Sequence, residues 1–256
     1  MSMQVQVVLA ERETLYRQLA DSLVQVLGQT LAERERAMLA LSGGQTPQPL
    51  YRLLAGEPYR NAIDWKRVCF FWADERYVPP TDPTSNFRMA YELWLREWQL
   101  PQHCLHPVPT YLPNTDEAAR RYEAHLRQFF ATRARFPQFD LILLGMGEDG
   151  HTASLFPEDP ALEETTRWVV PARAPVPPYQ RLTLTLPVLN AARRVWFLIT
   201  GERKREALRR VFKPDRHEPP LPAARVKPKH GELIWWVEEV LRDVIPPRYL
   251  SEEANS

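Results

Sequence analysis

A histidine beside carboxylates, glycines that bare the backbone, and cations at the ends of apolar runs are the residues of this chain that could do chemistry. The densest group is Phe139-Asp140-Leu141-Ile142-Leu143-Leu144-Gly145-Met146-Gly147-Glu148-Asp149-Gly150-His151, an apolar run ending in glycines, two carboxylates and an imidazole. Near neutral pH an imidazole can take a proton from water, and Asp149 or Glu148 is placed to fix its tautomer. A histidine taken alone is ordinarily a hydrogen-bonded loop residue, so it is the context that singles out His151. His103, His106, His125, His217 and His230 lack that context: His125 falls on a charged amphipathic helix, and His103 and His106 lie among prolines without nearby carboxylates. Gly145 to Gly150 also spells G-x-G-x-x-G. A dinucleotide fold needs a full helix after that motif and then a second strand ending in an acid, whereas Pro157 and Pro160 cut the helix short. No nucleotide site and no cofactor are expected.

Two further segments suit an anion. In Ser42-Gly43-Gly44-Gln45-Thr46-Pro47 the glycines admit close approach of a ligand, and amides at the start of the following helix face it. The same residues also suit a plain tight turn. Trp72-Ala73-Asp74-Glu75-Arg76 ends an apolar run with two acids and an arginine, expected to point into one crevice, where Arg76 could grip phosphate in a forked contact or form a surface ion pair. Arg181 and Lys204, the latter just after Gly201, are further cations at strand edges.

The elements needed to position these residues are legible in the spacing. Val5 to Leu9 reads as a strand, followed by a helix with Leu15, Leu19, Leu23 and Leu27 on one face. Ala37 to Leu41, Val68 to Trp72, Phe139 to Leu144, Arg181 to Leu186 and Val195 to Ile199 read as strands. Helices are expected after Thr46, with Thr46 as N-cap and Pro47 first in the helix, and from Asn86 to Leu100, Asp116 to about Thr132, about Glu202 and about Glu232. Alternating strands and helices predict an α/β fold, a mostly parallel sheet with helices on both faces and ligands gathered at the carboxyl ends of its strands.

The 256 residues are 44% hydrophobic and 25% charged, with no Gly/Ser hinge or fixed-period repeat, so one domain over residues 1–256 is expected. A net charge of +1 offers no field for nucleic acid or an acidic membrane, and no run is long enough to span a bilayer. Two cysteines, Cys69 and Cys104, are too few for a disulfide framework or a cysteine-based zinc site, and no metal site is expected. This usage and the lack of a leader suit a reducing cytoplasm. The proline-rich stretches Pro171 to Pro187 and Pro214 to Pro228 read as rigid loops.

Taken together, Ser42 to Pro47, Trp72-Ala73-Asp74-Glu75-Arg76-Tyr77-Val78-Pro79 with Ser85-Asn86, and Gly145 through His151-Thr152-Ala153-Ser154-Leu155-Phe156-Pro157 resemble, in order, three signature blocks of the 6-phosphogluconolactonase family. Arg181 with Thr183 and Gly201 with Lys204 extend the resemblance. It implies a Rossmann-like fold without nucleotide, hydrolysing 6-phospho-D-glucono-1,5-lactone to 6-phosphogluconate in the oxidative pentose phosphate pathway; the partner expected is that small-molecule lactone, and the chain is expected to be a monomer or small homo-oligomer. By motif, His151 matches the general base and Asp149 its orienting neighbour. Arg76 and Lys204 match the phosphate-binding cations, with Arg181 a third. Ser42, Gly43, Gly44, Thr46 and Asp74 complete the expected binding crevice. The related glucosamine-6-phosphate deaminases continue after Gly-His into Phe-Asn-Glu-Pro, where this chain has Thr-Ala-Ser-Leu-Phe-Pro; the lactonase branch is the expectation, with a deaminase or isomerase and a non-catalytic sugar-phosphate sensor as alternatives.

Overall fold

The computed structural model describes residues 4–98 and 100–250. In chain order the regular elements are β1 (Gln4–Ala10), α1 (Arg12–Glu33), β2 (Ala37–Leu41), α2 (Gln48–Ala55), β3 (Val68–Trp72), β4 (Asp74–Arg76), α3 (Asn86–Ala90), β5 (Leu105–His106), α4 (Thr115–Phe130) and β6 (Leu141–Leu144). They continue with β7 (Val169–Arg173), β8 (Gln180–Leu184), α5 (Leu186–Leu189), β9 (Arg194–Ile199), α6 (Arg205–Phe212) and β10 (Glu232–Glu238), with short 3-10 turns between them.

Seven strands form one sheet in the order β1-β10-β9-β6-β2-β3-β5, every pair parallel. Successive side chains of a strand point to opposite faces, yet all five residues of β3 and all four of β6 are buried, so the sheet is covered on both sides there. The α1 leucines 15, 19, 23 and 27 are fully buried, as their spacing predicts, and the helix packs on β1, β2, β10 and α2. From β2 the chain builds outward through β3 to β5, then returns to β6 on the other side of β2. That reversal opens a crevice between the carboxyl ends of β2 and β6, the position where doubly wound sheets bind ligands.

Several local expectations are corrected. The segment from Glu232 is a strand, not a helix. Leu233 to Val237 are all buried because β10 lies between β1 and β9, and a run apolar on both faces shows no strand alternation to read. The helix expected from Asn86 to Leu100 is regular only to Ala90, then widens into a π turn over Tyr91–Leu95 and tightens over Arg96–Trp98. This reset brings both Trp94 and Trp98 onto Trp65, with ring centroids 5.3 and 4.7 Å away. Helix α2 starts at Gln48 with Pro47 in the cap position, and no side chain, Thr46 included, caps it. Arg181 to Leu186 does not join the main sheet. Its strand, β8, pairs antiparallel with β4 and β7 in a separate three-stranded sheet, and Pro171 sits inside β7, not in a loop.

Candidate active site

Three neighbouring strands of the main sheet end in glycine turns. Strand β2 runs into Ser42-Gly43-Gly44, β6 into Gly145-Met146-Gly147 and β9, after Thr200, into Gly201. All three turns, with Asp74 and Arg76 of β4 and Arg181 of β8, line one crevice of about 810 Å³. It brings together nine of the ten site residues expected from sequence: Ser42, Gly43, Gly44, Thr46, Asp74, Arg76, His151, Arg181 and Lys204. The tenth, Asp149, stands behind His151 and not in the wall.

The histidine is held from one side. His151 Nδ1 lies 2.6 Å from Asp149 Oδ1, and the His151 amide donates to the same oxygen at 3.1 Å. Burial pushes the Asp149 carboxyl up, but the hydrogen bond and charge of His151 outweigh it and hold it below its usual range. An ionised Asp149 only accepts, so Nδ1–H donates to it, and whenever the imidazole is neutral its lone pair is on Nε2. The loop is closed by Gly147 N donating to His151 O at 2.8 Å and by Gly150 at φ +80°. A Cβ on Gly147 would sit 2.1 Å from His151 Nδ1 and 2.4 Å from Asp149 Oδ1, so any side chain here would displace that pair. Glu148, the other tautomer candidate, lines the crevice but pairs with Arg203 at 3.5 Å.

The glycine loop after β2 is tied down by tyrosines. Tyr51 donates to the Ser42 carbonyl and Tyr16 to the Thr46 carbonyl, each at 2.7 Å. Gly44 has φ +89°, and a Cβ on Gly43 would lie 1.7 Å from Asn86 Oδ1. Asn86 in turn donates to the Asp74 carbonyl at 2.9 Å, and Asp74 Oδ2 accepts from Ser154 Oγ at 2.6 Å.

Arg76 and Arg181 are direct cross-strand partners in the β4–β8 pair, and the Nε of each is buried without a hydrogen-bond partner. Burial and the charge of Arg76 push the Arg181 guanidinium down. Arg76 Nη1 donates to the Thr84 carbonyl, and the two adjacent Nε donors left unpartnered could receive an anion. Lys204 is also pushed down by burial, with Glu148 and Asp149 opposing the shift.

Glu75 departs from expectation. One residue along a strand reverses direction, so while Asp74 and Arg76 face the crevice, Glu75 turns away. Its carboxylate accepts from the amides of Arg76, Asn86 and Phe87, each at 2.7 Å, and from Ser85 Oγ, tethering the start of α3. Ser154, Arg12, Tyr16 and Thr200 join the crevice wall without having been singled out from sequence. Arg12 and Tyr16 are four apart on α1, a spacing that puts them on one face, but nothing local says that this face meets a site. Among the described residues no three His, Cys, Asp or Glu side chains gather into a group that could hold a metal ion, and no helix is long and apolar enough to cross a membrane.

A sequence model of the family described as glucosamine-6-phosphate isomerases/6-phosphogluconolactonase matches residues 10–235. The 6-phosphogluconolactonase of Synechocystis sp. is 44% identical over 218 residues, covering 85% of this chain and 88% of that protein. The human 6-phosphogluconolactonase is 40% identical over 230 residues, covering 87% and 88%. The crystal structure of 6-phosphogluconolactonase from Thermotoga maritima aligns with a TM-score of 0.78 at 33% identity, over 92% of this chain and 100% of the other. With its three glycine turns meeting at one crevice and this extent of likeness, the chain belongs to the glucosamine-6-phosphate isomerase/6-phosphogluconolactonase family.

Proposed function

We propose that this crevice hydrolyses 6-phospho-D-glucono-1,5-lactone to 6-phospho-D-gluconate, with His151 as general base. The observation that carries the mechanism is the Nδ1 contact to Asp149, which leaves Nε2 as the basic nitrogen of a histidine in the wall of a cation-rich crevice. The phosphate docks on the Ser42 to Thr46 backbone with Arg76, Arg181 and Lys204, and the lactone carbonyl is presented to a water on His151. Nε2 takes a proton from that water as its oxygen bonds to the carbonyl carbon. Charge then builds on the former carbonyl oxygen. Since the Gly147 and Gly150 amides are engaged within their own loop, the donors at hand to stabilise that charge include the crevice cations. Collapse of the tetrahedral intermediate breaks the bond to the ring oxygen, which receives the proton from His151.

A deaminase would need a further carboxylate at the reacting carbons. Glu158, just beyond the motif, is exposed and lies outside the crevice wall, and the glutamates that do line it, Glu148 and Glu202, are paired with Arg203 and Arg205, which favours the lactonase reading. The test is acid release from freshly generated lactone, measured against spontaneous hydrolysis, beside ammonia release from glucosamine 6-phosphate. Accelerated acid release with no ammonia is expected. Ammonia release, or lactone opening no faster than background, would overturn the assignment.

A further inference from the structure

The mechanism leaves unexplained a buried carboxylate behind the crevice. Glu238, the last residue of β10, is only 9% exposed, yet it belongs to none of the family motifs. Its carboxylate accepts from three donors: Arg12 Nε and Nη2, each at 3.0 Å, and the Gly201 amide at 2.8 Å. The register explains the meeting. Val237 pairs with Ile199, so a side chain one residue beyond that pair can reach the amide two residues beyond it. Gly201, at φ +87°, opens the 3-10 turn Glu202–Lys204, and Lys204 N donates back to Gly201 O at 3.1 Å. The position of the Lys204 ammonium therefore depends on where Gly201 is held.

One helical turn after Arg12, Tyr16 donates to the Thr46 carbonyl at 2.7 Å. A single face of α1 thus touches both halves of the anion site, reaching one loop directly and the other through Glu238.

We propose that Arg12, Tyr16 and Glu238 are positioning residues, a clasp by which α1 sets the spacing between the Ser42–Thr46 loop and the Gly201–Lys204 turn and so tunes affinity for the phosphate of the substrate. The proposal rests on the phosphate-site reading above. A purely structural role fits less well. The Arg12 side chain is 59% exposed, and an ion pair that open to water contributes little to stability, whereas its geometry still fixes a loop that must meet a ligand.

The experiment is steady-state lactone hydrolysis, with inhibition by inorganic phosphate, for E238Q, Y16F and a K204A control, each checked for folding by thermal melt. A glutamine presents one acceptor and one NH2, so either Gly201 N–H or the Arg12 guanidinium meets a donor. The expected result for E238Q is a KM about 10-fold higher and phosphate inhibition weakened by a similar factor, with kcat within about twofold of wild type. Y16F moves in the same direction by a smaller factor, and it decides the matter if E238Q does not fold. Unchanged KM and phosphate inhibition in folded E238Q and Y16F, while K204A raises KM, would overturn the clasp and leave the phosphate site standing. An unchanged KM in K204A would overturn the phosphate-site reading, and the clasp with it.

Discussion

At the scale of the residue, His151 acquires a role only through what surrounds it. Asp149 fixes its tautomer, and Gly147 leaves room for both side chains. The sequence carried much of this, because an imidazole two residues from an acid after a buried run is a local pattern. Glu75 was less legible. Beside Asp74 and Arg76 it reads as a third crevice group, but strand alternation turns it toward the α3 amides, where burial pushes its carboxyl up to about 7 against the hydrogen bonds that favour the charged form. Gly43 is where backbone and side chain meet most closely. Gly43→Ala drives a methyl into Asn86, whose amide also holds Asp74. Displacing a binding loop by about 1 Å can reduce rate about 100-fold, so kcat/KM for the lactone is expected to fall by about that factor with the fold retained by circular dichroism. Kinetics unchanged from wild type would show that the loop gives way freely.

At the scale of the element, strands β2, β3 and β9 were readable from their apolar runs, and α1 from its leucines. β10 was not, since a strand buried on both faces carries the same apolar density as a buried helix and only its neighbours β1 and β9 decide between them. The second sheet was hidden for a related reason: β4 is three residues long, and its partners β7 and β8 lie about a hundred residues away in a proline-rich stretch. Between β5 and α4 the structure places a pair that no motif suggested. His106 stacks on Phe71 at 4.3 Å, and its Nδ1 lies 2.8 Å from His125 Nε2. Burial, with the charges of His125, His103 and Arg36 adding to it, depresses His106 to about 4, while His125 is depressed by burial and Arg121. A depressed histidine stabilises the fold above its unfolded value near 6.5 and loses that contribution as pH falls toward the folded value, because the unfolded chain binds the proton more readily. Melting temperature should therefore drop between pH 6.5 and pH 4, and less steeply in His106→Phe, which keeps the stack on Phe71. Parallel pH profiles for the two proteins would contradict this assignment.

At the scale of the whole molecule, the crevice exists because the chain reverses direction across the sheet. Outward growth from β2 to β5 followed by return to β6 sends the loops after β2 and β6 to one crevice, which Arg76 and Arg181 of the small β4–β8 sheet line side by side. Motifs more than a hundred residues apart could be recognised from sequence as one family's set, but their convergence is a property of strand order, and the contribution of α1 is visible only once that order is known. The central claim is that this convergence places a basic imidazole nitrogen where a phosphorylated lactone would be held. Single-turnover hydrolysis of 6-phospho-D-glucono-1,5-lactone by His151→Ala tests it most directly. A rate lower by a factor on the order of 100 to 10,000, with phosphate inhibition retained, is the expected result; a wild-type rate in that variant would contradict it.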